Sequence, residues 1–152
     1  MTEATTSATI ELLTFQLAEQ EYALDIMSVR EIRGWTRATP LPHAPHYMKG
    51  VINLRGTVLP VMDLGERLGL PARQQSERNV IIVVKYGDAM TGLLVDAVSD
   101  IITLTVDDLQ PPPDMVGIGS ANVVSNLTLI DDRMIRVLDL AATVTLTENA
   151  AA

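Results

Sequence analysis

Apolar and polar side chains alternate at the start of the chain: Leu13, Phe15 and Leu17 fall on one side, Thr14 and Gln16 on the other. After a polar break at Glu19–Glu21, the alternation resumes with Tyr22, Leu24 and Ile26. A period of two around a polar break predicts a β-hairpin. VIIVVKYGDAMTGLLV repeats the pattern around Tyr86-Gly87-Asp88, where Gly and Asp supply turn chemistry. Its apolar residues fall on both faces, which predicts a strand covered on both sides. Helix is scarce. DLGERLGL is the best candidate, with Asp63 as N-cap, Glu66 three residues on as in a capping box, and Gly69 as terminator. DLAATV after Asp139 is a weaker second candidate. Pro42 and Pro45 keep PLPHAPHY out of regular helix.

The two hairpins are copies. An offset of 69 pairs Leu12 with Ile81, Phe15 with Val84, Leu24 with Leu93, Val29 with Val98, Glu31 with Asp100 and Ile32 with Ile101. An offset of 76 then aligns Val58–Leu64 with Met134–Leu140. The difference places about seven extra residues in the second copy, and the PPPDMVGIGSAN loop is the natural location. One β-unit of about seventy residues is thus used twice, and short, turn-punctuated strands favour small barrels. Units this small have thin cores. They are expected to pack on each other through a shared apolar layer, leaving a groove at the seam. The predicted organisation is a tail over 1–10, one double module over 11–146 (approximate units 11–79 and 80–146), and a second tail over 147–152.

Composition changes this picture little. The 152 residues contain no cysteine, which removes disulfides, thiolate metal sites and cysteine nucleophiles. No apolar run reaches the ~18 residues of a membrane span, and the first residues lack the pattern of a secretion signal. Charge is more informative. Residues 1–85 hold nine acidic and nine basic side chains, whereas 86–152 hold ten acidic and two basic, giving the net −8. So acidic a surface disfavours nucleic acid and anionic lipid as partners. Within the neutral half, Arg30, Arg33, Arg37, Lys49 and Arg55 share one local acid, Glu31. That run is either a solvated face or a positive patch for an acidic protein.

The candidate chemistry is thin. His43 and His46 have H-x-x-H spacing but no helix to present them and no third ligand nearby, so no metal site is predicted. Asp63 and Asp139 are explained as helix caps. The glycines of VGIGSAN lack the strand–helix context of a phosphate loop. Asn126-Leu127-Thr128 is a formal glycosylation sequon without a secretory context. No nucleophile, base or cofactor site emerges, which favours a binding module over an enzyme. Trp35, the sole tryptophan, is either half-buried core or an interface anchor. Arg55 lies between the apolar runs Val51–Leu54 and Val58–Met62 and precedes Gly56, which is expected to take a positive φ. The second copy has LIDDR there instead. A cation needed only for folding would be wanted in both copies, so a partner-contacting role is preferred for Arg55.

The segments EYALDIMSVREIRG, GVINLRGTVLPVMDLGERLGL and GLLVDAVSDII, with the PPP loop, resemble the CheW family of bacterial chemotaxis coupling proteins from about Leu12 to Leu140. The resemblance implies an all-β fold of two SH3-like five-stranded barrels with a shared core. It implies a cytoplasmic, non-catalytic adaptor without cofactor, working at membrane-associated receptor arrays but not inserted in the membrane. Its partners would be the cytoplasmic tip of chemoreceptors and the regulatory domain of the histidine kinase CheA. By position, Val29, Glu31, Asn53, Arg55 and Val98 would contact the receptor. Lys49, Gly50 and Trp35 would serve kinase or array contacts. Residues 115–130 depart from the family pattern, with Asn126 where glycine is usual. The alternatives are a CheW-like adaptor of a surface-motility pathway, or a small-molecule-binding or hydrolytic β-barrel.

Overall fold

A computed structural model describes residues 8–71, 77–112 and 123–144. Ten strands and two short helices follow in order: β1 (Thr9–Leu17), β2 (Gln20–Asp25), β3 (Val29–Gly34), β4 (Met48–Leu54), β5 (Thr57–Asp63), α1 (Leu64–Arg67), β6 (Val80–Tyr86), β7 (Ala89–Val95), β8 (Ala97–Thr105), β9 (Val124–Ile130), β10 (Arg133–Leu138) and α2 (Leu140–Val144). They form two five-stranded sheets, β3-β6-β7-β5-β4 and β8-β1-β2-β10-β9. A backbone bridge between Thr39 and Val51 carries the chain after β3 onto β4, and Gln110 with Leu127 does the same between the chain after β8 and β9. Each sheet is thereby drawn round into a small barrel, called here the first (around β4 and β5) and the second (around β9 and β10).

The duplication is visible strand for strand. β4 and β9 are related by the offset of 76 along their whole length, as are β5 and β10 at their start. The partition of the sheets is less simple than the repeat. The β1–β2 hairpin belongs to the second barrel and its copy, β6–β7, to the first. A cut at 79/80 therefore separates the two copies but neither barrel. The exchange obeys the repeat: β5 runs parallel to β7 with Val61 opposite Gly92, and β10 runs parallel to β2 with Val137 opposite Ala23. Likewise Val29 opposes Val84, and its copy Val98 opposes Phe15, each beside a register shift.

Three apolar layers result. The largest is shared: Leu13, Phe15, Leu17, Tyr22 and Leu24 from the second barrel meet Met62, Ile82, Val84, Leu93 and Val95 from the first. Each barrel adds a core of its own, built on Ile52, Leu54, Leu59, Val61, Ile81, Val83 and Leu94 in the first and on Leu12, Ala23, Ile135 and Val137 in the second. This explains the two-sided apolar pattern of β6. Ile82 and Val84 point to the shared core, Ile81 and Val83 to the barrel interior, and all four are fully buried.

The sequence expectations are refined in three places. Thr9 and Ile10, expected in the tail over 1–10, belong to β1: they pair with Thr105 and Leu104, and Ile10 packs on the second barrel's core. The first hairpin turns at Ala18-Glu19, at the start of the polar break, whose Gln20 and Glu21 already belong to β2. Asp63 caps α1 by accepting from the Glu66 N–H at 3.1 Å, but the Glu66 carboxylate, buried, is taken by Lys49 at 2.8 Å. The PPPDMVGIGSAN loop falls largely outside the described residues, as does the tail over 147–152.

Candidate interaction site

Arg55 and Gly56 are the two central residues of the β4–β5 turn, with φ of 53° and 89°. Two consecutive positive φ angles match the right-handed twist of the flanking strands. The expectation placed only Gly56 there; Arg55 shares the conformation. Asn53 fastens the turn, its side-chain oxygen accepting from the Gly56 N–H at 2.8 Å. The copy of this turn, Asp131-Asp132, has the same geometry, with φ of 50° and 67°. Backbone shape therefore demands a two-residue turn in both barrels but not an arginine in either.

What Arg55 does is reach β3. Its Nη2 donates to Glu31 Oε1 at 2.6 Å, while 72% of its side chain stays exposed. Arg33, two residues along the same strand, approaches the other Glu31 oxygen at 3.5 Å. The hydrogen bond from Arg55, with the charges of Arg55 and Arg33, holds the Glu31 carboxyl below its ordinary value of 4.5; partial desolvation opposes this. Arg55 is shifted up in return by the same carboxylate. The second barrel carries Asp100 and Asp131 at the equivalent positions, two acids that cannot pair. The Glu31–Arg55 link is thus a feature of the first barrel alone.

The other predicted residues divide into groups. Val29, separated from Glu31 by the register shift in β3 and so turned to the other face, is half-buried against the shared core. Val98, its copy, packs on the same core from β8. Trp35 lies against the first barrel's own core, with Ala38 and Met90. Lys49 is tied to Glu66 and also donates to the His46 carbonyl at 3.3 Å. Gly50, with φ of 139°, has a steric duty: an added Cβ would lie 2.0 Å from the Thr39 carbonyl oxygen, inside the bridge that closes the barrel. The structure thus brings Glu31, Asn53 and Arg55 together at one exposed edge, with Val29 beside them. Lys49 and Gly50 instead hold the backbone that forms that edge. The pairing of Glu31 with Arg55 could have been guessed from charge alone, since Glu31 is the only acid in the basic span, but only the barrel brings residues 24 positions apart into contact.

Among the described residues no group of His, Cys, Asp and Glu side chains could hold a metal ion. Nor is any of their helices long and apolar enough to cross a membrane. Two exchanged small barrels, a filled common core and a surface edge built from one ion pair define a protein-interaction module of the paired SH3-like type. The chain belongs to the CheW-like family: the model of the CheW-like domain matches residues 11–148. It is 49% identical over 142 residues to a probable chemotaxis protein CheW of Rhizobium etli, covering 93% of this chain and 92% of that one. It is also 49% identical over 130 residues to the chemotaxis protein CheW of Rhizobium meliloti, with 86% and 84% covered. The crystal structure of the scaffolding protein TtCheW from Thermoanaerobacter tengcongensis superposes with a TM-score of 0.80 at 35% identity, covering 87% and 90% of the two chains.

Proposed function

We propose that this chain is a non-catalytic adaptor that couples chemoreceptors to the histidine kinase CheA, on the cytoplasmic side of membrane-associated receptor arrays. The observation that carries the reading is the exposed Glu31–Arg55 pair at the edge of the first barrel, beside half-buried Val29. Exposed ion pairs contribute little to stability, so an arginine kept there is available for another acceptor. A receptor helix would lay its apolar ridge along Val29 and Val98. Arg55 would exchange Glu31 for carbonyl or carboxylate oxygens on that helix, a task suited to its fixed array of donors. The segment around Lys49, Gly50 and Trp35 is the proposed kinase or array face, with Lys49 and Gly50 acting through the backbone they hold in place. Signal would pass as a shift in the populations of receptor and kinase states, with no turnover in this chain.

The test is a reconstitution with a receptor cytoplasmic fragment and the kinase. Arg55→Glu is expected to weaken receptor binding and receptor-stimulated phosphorylation by roughly tenfold or more, as for loss of a charged interface contact, with an unchanged circular dichroism spectrum. The double variant Glu31→Arg/Arg55→Glu restores the internal pair and is expected to stay defective. Full coupling by both variants would overturn the assignment of this edge.

A further inference from the structure

A cavity of about 420 Å³ opens on the first barrel between the chain at the end of β3 and the β4–β5 hairpin. Its polar lining includes two guanidiniums. Arg33 and Arg37 enter it, with Thr36 beside them. Asn53 spends its side-chain oxygen on Gly56, which leaves its NH₂ for the cavity. Among the described residues no carboxylate lines it. Ile52 and the exposed Val58 supply an apolar side.

The charge of the basic span from Arg30 to Arg55 sharpens the point. Lys49 is neutralised by Glu66 and Arg55 by Glu31. Among the described residues Arg33 has only the long second contact to Glu31, and its buried Nε has no acceptor. Arg37 makes no ion pair with the described residues. Arg30 is exposed and lies outside the lining; the charge of Arg33 and Arg37 is at this cavity, within a half-apolar recess where a guanidinium–carboxylate contact is worth more than on open surface. The geometry points to a docking pocket for an acidic side chain of a protein partner, carried next to an apolar residue that covers Val58. A peptide segment is favoured over a free anion because the apolar side would otherwise stay in water. This pocket adjoins the Glu31–Arg55 clamp, sharing Arg33 and Asn53 with it, but its test does not depend on the coupling reading.

The experiment is a nuclear magnetic resonance titration of the full chain, following the Arg33 and Arg37 Nε–H resonances. The probes are a capped Leu-Glu-Leu-Glu peptide, its Leu-Gln-Leu-Gln twin, and glutarate. The acidic peptide is expected to move both resonances saturably, and Arg37→Gln and Arg33→Gln to weaken it roughly tenfold each while other amides stay in place. The glutamine twin should have no effect and glutarate a much weaker one. Equal binding of glutarate would make this a small-anion site and overturn the peptide assignment. Equal binding of the twin, or no movement with any probe, would overturn the pocket itself. Because the readout involves neither receptor nor kinase, its failure is distinguishable from a failure of coupling.

Discussion

A single carboxylate organises the exposed edge of the first barrel. Glu31 receives Arg55 closely and Arg33 at longer range, and its pKa falls because both cations favour the ionised form. A group whose folded pKa is depressed adds stability above its unfolded pKa and loses it as pH falls through the folded one. For so exposed a pair this contribution is small. The sharper observable is the titration of Glu31 itself. Its carboxyl carbon resonance is expected to titrate below 4.5 in the native protein and to move up towards that value in Arg55→Gln, with little change in melting temperature. Gly50 presents the opposite case, a residue without charge whose replacement is severe. Alanine there would force a Cβ against the Thr39 carbonyl at a φ of 139°. Gly50→Ala is expected to cost about 3 kcal/mol or more, measured by urea unfolding.

The short helices show what elements this small need from the rest of the chain. Neither α1 nor α2 is long enough to hold together by propensity. α1 is fixed by its Asp63 cap and by burial of Leu64. α2 follows Asp139, whose side chain accepts from the Ala142 N–H at 3.3 Å. Its far end is held from outside: Arg67 of α1 donates to the Ala142 carbonyl at 2.8 Å and to the Thr143 carbonyl at 3.1 Å, with its guanidinium over the Tyr47 ring. Arg67 and Thr143 are repeat equivalents, so the two copies meet here through one residue and its own counterpart. Arg67→Ala is expected to cost about 1–3 kcal/mol and to speed hydrogen exchange at the Thr143 amide selectively. Arg67→Lys should recover only part of this, since an ammonium cannot reproduce the two-carbonyl geometry.

At the scale of the molecule, the exchanged hairpins decide how the protein unfolds. The shared core draws on β1, β2, β5, β6 and β7, so neither barrel can be released without opening it. Unfolding is expected to be one cooperative transition, with calorimetric and van't Hoff enthalpies equal. Phe15→Ala, at the fully buried centre of the shared layer, should lower stability by about 3–5 kcal/mol without splitting the transition. Two resolved calorimetric peaks would show barrels that behave independently and would contradict this account.

The sequence by itself determined the elements and their duplication. Period-two patterning marked the hairpins, the double-sided run in β6 marked its burial, and the two offsets placed the first hairpin with the second and β5 with β10. These are local signals, set by which face of a strand meets water. It also singled out Arg55, because a lone cation between apolar runs is conspicuous, while Glu31 and Asn53 became candidates only through the family resemblance. Only the tertiary structure decided which copy each hairpin joins: the copies are alike, so local pattern fits either barrel, and the choice lies in how both fill one common core. The contact of Arg55 with Glu31 was legible only as a matching of charge, and the retention of Lys49 by Glu66 and the cavity beside Arg33 and Arg37 were invisible in the chain. Each is made by residues that meet only when the strands of the first barrel have paired.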